Sequence, residues 1–224
     1  MSKEIYHIAI DGPVASGKGT IARLLSLRLE IPCLDTGAMY RAFGVYILEK
    51  GIDENDEVAV TIAVGDVNIE TKIIDNITRV SVNGIDVTDK IRDNTISRVA
   101  SNVSRYPAVR AKLVGLQQDI AKTQSFILEG RDIGSVVLPN AKFKFYLTAD
   151  LITRGNRRLN DLKAKGVEIT FNEVVRQIKQ RDKIDMHKKV GALKRVPDAV
   201  VIDNTKLTHE ETVEIFYRII TINK

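Results

Sequence analysis

Residues 8–20, IAIDGPVASGKGT, constrain the fold more than any other part of the sequence. The short apolar run that leads to Asp11 is bounded by turn formers, which predicts a buried strand. A glycine-rich loop follows with the spacing G-x-x-x-x-G-K, ending at Lys18. Beyond it, apolar residues from Ile21 to Leu29 recur at helical spacing. Strand, loop and helix in this order are the context that a phosphate-binding P-loop requires.

The chemistry of this loop suits an anion. Gly12 and Gly17 permit backbone conformations in which successive N–H groups point at phosphate oxygens, and the helix adds its positive N-terminal end. Lys18 adds a point charge that can move with a transferred phosphoryl group. A chance glycine-rich turn before an amphipathic helix is the alternative, but both flanks favour the P-loop. The predicted phosphate-binding residues are Gly12, Pro13, Val14, Ala15, Ser16, Gly17, Lys18, Gly19 and Thr20.

One detail of the loop narrows the class of protein. The usual P-loop pattern has Ser or Thr directly after the lysine. Here Gly19 intervenes and Thr20 follows. This departure favours a small-molecule kinase over a GTPase or a motor protein.

The composition limits which classes of protein this chain can belong to. The 224 residues, with 44% hydrophobic and 28% charged, suit one soluble domain or a core with a small insert. The net charge of +5 suits an anionic ligand, but no Lys/Arg block indicates nucleic-acid binding. A single cysteine, Cys33, excludes an internal disulfide, and we expect it to be buried. The N-terminal residues do not resemble a signal peptide and no apolar run approaches a membrane span, so we expect a cytoplasmic protein.

Strand and helix patterns alternate along the chain. Apolar runs at residues 31–35, 125–129, 143–147 and 199–203 predict four further strands. Between residues 64 and 89, period-two alternation around Asn83-Gly84 predicts a hairpin and a small antiparallel insert. We therefore predict an α/β core at residues 1–63 and 95–224, with the insert at residues 64–94.

Polar side chains follow two of the predicted strands. Thr36, Tyr40 and Arg41 come after the second, and Arg131 and Asp132 after the third. The carboxyl edge of an open parallel sheet is where such folds bind ligands. Tyr40 offers a flat face and Arg41 a bidentate fork for phosphate.

Further charges lie on predicted helices. Arg110 falls beside the apolar face of a helical segment over residues 96–122 that is interrupted at Pro107, so it should point to the edge of that face. The segment before the last strand carries dense positive charge, including Arg154 and Arg181. A solvated helix face is the ordinary explanation, but a kinase must gather cations around two phosphorylated substrates.

Taken together, the motifs resemble the bacterial cytidylate kinase family over nearly the whole chain. They are DGPVASGKGT, LDTGAMYRA, the hairpin insert, SRVASNVSRYPAVR, LEGRDIG, and RDKID before VPDAVVIDNT. The resemblance implies a P-loop nucleoside monophosphate kinase fold: a parallel sheet flanked by helices, a small antiparallel β insert and a short lid near residues 154–166. It implies ATP-dependent phosphorylation of CMP and dCMP to CDP and dCDP, with Mg²⁺ held largely by phosphates and waters rather than by a protein cage.

The resemblance also implies residue roles. Lys18, Arg131, Arg181 and Lys188 would surround the transferred group, with Arg157 and Arg158 in the lid on the ATP side. Ser101, Arg110 and Asp132 match positions that recognise cytosine, and Asp185 matches one that binds the sugar hydroxyl. The full acceptor set is Thr36, Tyr40, Arg41, Ser101, Arg110, Arg131, Asp132, Arg181 and Asp185.

One segment departs from the family pattern. The family usually reads Asp-Ser-x-Arg with Ala-Pro-Leu shortly after. This chain has Asp185-Met186-His187-Lys188, then Gly191-Ala192-Leu193. Lys188 keeps a charge but lacks a planar fork, so we expect a weaker phosphate contact, or one shared with Lys189. His187 is expected to be an exposed lid residue.

Two alternatives stay open at this point. One is a related kinase for UMP, dTMP or a non-nucleotide alcohol. The other is a nucleotide- or RNA-binding module without turnover. The expected partners are CMP, dCMP and ATP, with no nucleic acid and no membrane, and the expected state is a monomer.

Overall fold

The structure is a computed structural model that describes residues 5–74 and 77–223. The strands of that part of the chain form a five-stranded sheet and a three-stranded sheet. The strands are β1 (His7–Asp11), β2 (Cys33–Asp35), β3 (Ile69–Ile74), β4 (Ile77–Val82), β5 (Ile85–Asp86), β6 (Phe126–Gly130), β7 (Phe143–Thr148) and β8 (Val200–Asp203).

Helices cover both faces of the larger sheet. They are α1 (Lys18–Leu29), α2 (Thr36–Glu49), α3 (Glu57–Asp66), α4 (Asn94–Val103), α5 (Pro107–Ala121), α6 (Leu151–Ala164), α7 (Phe171–His187) and α8 (His209–Ile222). Capping boxes are present at the starts of α7 and α8. The predicted break at Pro107 separates α4 from α5, with Pro107 in the first turn of α5.

The larger sheet is parallel, as predicted, and its strand order is β2-β6-β1-β7-β8. Strands covered on both faces must be apolar along their whole length. Ile8, Ala9 and Ile10 of β1 accordingly have no exposed surface. One core cluster lies between this sheet and helices α1 and α8, where the rings of Phe145 and Phe216 stand 4.4 Å apart. The carboxyl ends of β2, β6 and β1 therefore lie side by side.

The smaller sheet, β3-β4-β5, is antiparallel. Asn83 and Gly84 join β4 to β5 with positive φ of 49° and 81°, the backbone of a type I′ turn, so the predicted hairpin is confirmed. Val80 and Val82 are buried in the cluster around α2. The backbone N–H of Asp35 donates to Thr78 Oγ1 at 3.1 Å. These contacts hold the small sheet beside β2, the edge strand of the larger sheet.

Helix α3 was not predicted from the sequence. The apolar residues Val58 and Ile62 are exposed on it, which obscures any one-sided periodicity. The predicted boundary of the insert at residue 64 falls inside this helix. The division into core, insert and lid stays a prediction.

Candidate active site

The P-loop joins β1 to α1 in a conformation that depends on its glycines. A Cβ on Gly12 would lie 2.0 Å from the carbonyl oxygen of Leu147, so only glycine lets the loop pass so close to β7. Gly17 caps α1 with φ of 90°, in the left-handed region that favours glycine. The N-terminal end of α1 consequently faces the carboxyl edge of the sheet, where its unpaired N–H groups can bind an anion.

Lys18 is folded back over this loop. Its Nζ donates to the carbonyl oxygen of Pro13 at 2.8 Å and to Ser16 Oγ at 3.4 Å, and only 5% of the residue is exposed. Burial, and then the neighbouring Arg131, lower the pKa of Lys18 to about 7. An anion at this position would raise the pKa of Lys18, because it favours the charged form.

A cleft of about 480 Å³ opens in front of the loop. It lies between the strand ends, α2, α4 and α7, and it brings together most of the predicted site residues from distant parts of the chain. Those that line it are Val14, Ala15, Gly17, Lys18, Gly19, Thr20, Thr36, Tyr40, Arg41, Arg110, Arg131, Asp132, Arg158, Arg181, Asp185 and Lys188.

The other predicted residues lie behind this lining. Gly12, Pro13, Ser16 and Ser101 are buried. Arg157 donates to the carbonyl oxygen of Ser16 at 3.2 Å and to both oxygens of Asn204. In this structure Arg157 therefore supports the loop from behind, and it does not line the cleft.

One buried carboxylate gathers the cations of the cleft. Asp185 has no exposed surface, and its Oδ atoms lie 2.8 Å from Arg131 Nε, 3.5 Å from Arg181 Nε and 3.1 Å from Lys188 Nζ. Burial alone would raise the pKa of Asp185, but these cations hold it well below the ordinary value. We call these four residues the cation cluster. One negative charge against three positive charges leaves an excess that suits a phosphate group.

Arg110 and Asp132 form a buried ion pair at one side of the cleft. Burial raises the pKa of Asp132 even though Arg110 opposes that effect. Within the described residues, Tyr40 Oη, Ser101 Oγ and Arg110 Nε are buried without a hydrogen-bond partner. Buried polar atoms are rarely left unpaired, so this corner is suited to a polar ligand. Arg110 was expected at the edge of its apolar helix face, and it reaches from α5 into the cleft.

Sequence reasoning missed two carboxylates at the strand ends that line the cleft. Asp35 accepts from Arg41 Nη2 at 2.6 Å, and this cation lowers the pKa of Asp35 against the opposing effect of burial. Burial, and then the Asp35 carboxylate, raise the pKa of Glu129 to about 7. Both residues lie at the carboxyl ends of parallel strands. The strand-end argument that selected Thr36 and Arg131 applies equally to them.

Sequence reasoning also missed Asp11, which holds the backbone of the site in place. Its carboxylate accepts the backbone N–H groups of Ile133 and Gly134, both at 2.8 Å. These residues begin a π-helical turn, Ile133–Val137, directly after Arg131 and Asp132. Burial raises the pKa of Asp11 to about 6. Asp11 thus fixes the backbone that carries the two predicted ligand-binding side chains.

The predicted lid arginines have different environments. Arg154 is buried and bonded to Asp182 at 2.6 Å and to the carbonyl oxygen of Val14 at 3.1 Å, so it ties α6 to the loop and to α7. Arg158 lines the cleft and donates to Asn94 Oδ1 at 2.8 Å.

The structure also shows the contacts of the segment that departs from the family pattern, residues 185–193. Lys188 donates to Ser104 Oγ at 2.8 Å within the cleft, whereas Lys189 and His187 are exposed. The exposed position of His187 agrees with the expectation.

Residues 5–74 and 77–223 hold no group of three or more His, Cys, Asp and Glu side chains that could bind a metal ion. In the same part of the chain, every helix is too short or too polar to cross a membrane. Cys33 is buried, as expected, and burial raises the pKa of its thiol.

A parallel sheet, a P-loop and a cationic cleft at the carboxyl edge of that sheet define a P-loop protein whose cleft is suited to phosphate groups. Solved structures support the fold: a protein from Eubacterium ventriosum superposes with a TM-score of 0.53 at 12% identity, covering 96% of this chain and 98% of its own. A sugar kinase from Janibacter gives a TM-score of 0.50 at 14% identity, covering 98% and 96%.

Sequence comparison identifies the family. The profile of the cytidylate kinase family matches residues 8–222. The cytidylate kinase of Caldicellulosiruptor saccharolyticus is 44% identical over 218 residues, which are 96% of each chain. That of Fusobacterium nucleatum is 40% identical over 206 residues, covering 92% of this chain and 93% of the relative. The chain belongs to the cytidylate kinase family, as its motifs predicted.

Proposed function

We propose that this protein transfers the γ-phosphate of ATP to CMP and dCMP, giving CDP and dCDP. One observation carries the proposal: the P-loop and the cation cluster face the same cleft, beside the Arg110–Asp132 pair. Two anion-binding elements in one cavity suit two phosphorylated substrates bound end to end. Membership of the cytidylate kinase family supports the same reaction.

Charge placement performs most of the chemistry in this proposal. The P-loop N–H groups and Lys18 hold the ATP phosphates, while Arg41 and the cation cluster hold the phosphate of the acceptor. Phosphoryl transfer proceeds through a loose transition state whose charge lies mainly on the transferred oxygens. Lys18 and Arg131 are close enough for Arg131 to lower the pKa of Lys18. An oxyanion between them stabilises both cations while they stabilise its developing charge.

In this proposal, the Arg110–Asp132 pair recognises the base of the acceptor nucleotide. The Asp132 carboxylate accepts from the exocyclic amine of cytosine, and Arg110 and Ser101 donate to the ring acceptors. Uracil and thymine present a carbonyl where cytosine presents the amine. A carboxylate that faces that carbonyl receives no donor from the base and is repelled by its oxygen, which disfavours UMP and dTMP.

The donor set of the cleft also fits Mg²⁺. Hydroxyl and carboxylate oxygens are the ligands this ion prefers, and Thr20, Asp35 and Glu129 supply them along the lining. When bound with the nucleotides, the ion neutralises phosphate charge. Among the described residues no three or more His, Cys, Asp and Glu side chains form a metal-binding group, so phosphates and waters would complete the coordination.

The proposal includes a monomeric, cytoplasmic enzyme that does not act on nucleic acid. Arg157 and Arg158 belong to the lid in this proposal, with Arg158 able to reach the cleft and Arg157 needing to leave Asn204 first. Lid closure would exclude water from the phosphates.

The test is a coupled assay with ATP and Mg²⁺ across CMP, dCMP, UMP, dTMP and a non-nucleotide alcohol. CMP and dCMP should give the highest kcat/KM, and Lys18→Ala should abolish turnover while the chain stays folded. Preference for UMP or dTMP would contradict the base assignment. Salt-sensitive RNA binding without turnover would support the binding-module alternative.

A further inference from the structure

The backbone of Val14, in the P-loop, is held at both its N–H and its carbonyl oxygen by one ion pair. The N–H donates to Asp182 Oδ1 at 3.4 Å, and the carbonyl oxygen accepts from Arg154 Nη1 at 3.1 Å. The same Nη1 donates to Asp182 Oδ2 at 2.6 Å, which closes a ring of three hydrogen bonds. Only 8% of Arg154 and 9% of Asp182 are exposed, so water competes little for these bonds. We call these two side chains the Val14 clamp.

The clamp is anchored outside the loop. Arg154 lies near the start of α6, and its Nε donates to the carbonyl oxygen of Ala149, the residue that follows β7. Asp182 lies on α7. A guanidinium presents its donors in a rigid planar fork, so one side chain can hold Ala149, Val14 and Asp182 in a single geometry. The position of the clamp is therefore set by β7, α6 and α7 together.

The residue after Val14 explains why the loop needs this support. Ala15 has a φ of 59°, in the left-handed region that is unfavourable for a residue with a side chain. Such a conformation persists only where the surrounding structure imposes it. The side chains of Val14 and Ala15 also pack against Leu162 of α6 and against Val174 and Ile178 of α7. Helices α6 and α7 thus hold this part of the loop by polar and apolar contacts.

We propose that Arg154 and Asp182 are positioning residues for the phosphates of the donor nucleotide. By fixing the backbone of Val14 and Ala15, they hold the loop N–H groups that follow in the arrangement that phosphate oxygens need. Val14 and Ala15 line the cleft together with Lys18, so a shift of their backbone falls on the donor side. The inference rests on the proposed function, because that proposal places ATP on this loop.

The variant Arg154→Lys tests the clamp without removing its charge. Lysine keeps a cation opposite Asp182 but lacks the fork that reaches Val14 and Ala149 together. We expect the Kd for ATP, measured by calorimetry, and the KM for ATP to rise about tenfold or more, with the KM for CMP changed by less than about twofold. A general loosening of the cleft would raise both KM values alike. An unchanged Kd for ATP, or equal rises in the two KM values, overturns the proposal.

A double variant separates positioning from stability. Arg154→Met with Asp182→Leu replaces the buried pair by apolar side chains of similar volume, an exchange that is often neutral or stabilising. This chain should fold with a Tm near that of the wild type and still bind ATP about tenfold more weakly. The control is Arg28→Met with Glu214→Leu, which removes the ion pair between α8 and the last turn of α1. The control should keep its Kd for ATP within about twofold of the wild type.

The remaining outcomes also decide the question. If the Arg154→Met, Asp182→Leu chain fails to fold, or folds and binds ATP as the wild type does, the pair serves stability alone and the proposal is wrong. A wild-type chain that binds ATP but does not phosphorylate CMP would defeat the proposed function, while the Kd values for ATP would still test the clamp.

Discussion

Replacement of Asp185 by asparagine tests whether the cation cluster is held together by one carboxylate. Asparagine keeps the shape but removes the charge, which leaves Arg131, Arg181 and Lys188 repelling one another. Losing one partner of a buried ion pair costs about 3–5 kcal/mol. Because the Arg131 and Arg181 side chains are 21% and 30% exposed, we expect the lower end of that range. About 3 kcal/mol in a chain of this size lowers Tm by roughly 6–12 °C.

Thermal unfolding followed by circular dichroism measures this effect, with Asp198→Asn as the matched control. Asp198 pairs with Lys144, but its side chain is 62% exposed, so its removal should cost less than about 1 kcal/mol. Inorganic phosphate should raise the Tm of Asp185→Asn more than that of the wild type, because it replaces the missing negative charge. A Tm within two degrees of the wild type, or equal stabilisation by phosphate, would refute the role given to Asp185 (a two-degree change is about 0.5–1 kcal/mol).

The effect of pH on this difference follows from the lowered pKa of Asp185. A carboxyl group with a lowered pKa in the folded state stabilises the protein above its unfolded pKa, and that contribution disappears as the pH falls through the folded pKa. Between about pH 5 and pH 8 the group is ionised in both states, so the Tm gap between Asp185→Asn and the wild type should stay constant. A gap that closes across that range would mean that Asp185 is not held ionised.

Three further predictions concern the lysines. Lys18→Ala should lower kcat at least about 100-fold without unfolding the chain, since it removes the cation nearest the transferred group; near wild-type turnover would exclude that role. ATP binding at about pH 8 should take up protons, because the pKa of Lys18 is lowered to about 7 in the free protein and phosphate raises it; calorimetry in two buffers of different ionisation enthalpy measures this, and Lys18→Ala should lose part of the uptake. Lys188→Ala should raise the KM for CMP about tenfold, with Lys189→Ala as the exposed control; kinetics identical to the wild type would show that Lys188 has no part in binding.

The loop, the turn and the helix break were predictable because each depends on residues that are neighbours in the sequence. The P-loop, the Asn83-Gly84 turn and the break at Pro107 each follow from a backbone preference of glycine, asparagine or proline. The buried strands were predictable because a parallel sheet covered on both faces requires continuous apolar runs. Helix α3 was missed because exposed Val58 and Ile62 mask its buried face.

Much of the lining of the cleft could be selected from the sequence, but its arrangement could not. Strand ends and motifs selected the arginines and Asp132, yet the same rule applied to Asp11, Asp35 and Glu129 would have added three carboxylates. Arg157 was assigned to the lid by resemblance, and only its contacts with Asn204 and Ser16 reveal that it braces the loop. Such contacts join residues far apart in sequence, so no local pattern reports them.

By itself, the sequence determined the strands of the parallel sheet, the anion-binding loop and the family, because these depend on local spacing and residue type. Only the tertiary structure decided which charges neutralise one another. Asp185 meets Arg131 across 54 positions of the chain, and Arg154 reaches Val14 across 140. Charge balance and burial are properties of the packed interior, where distances of a few ångströms set the pKa values and the shape of the cleft.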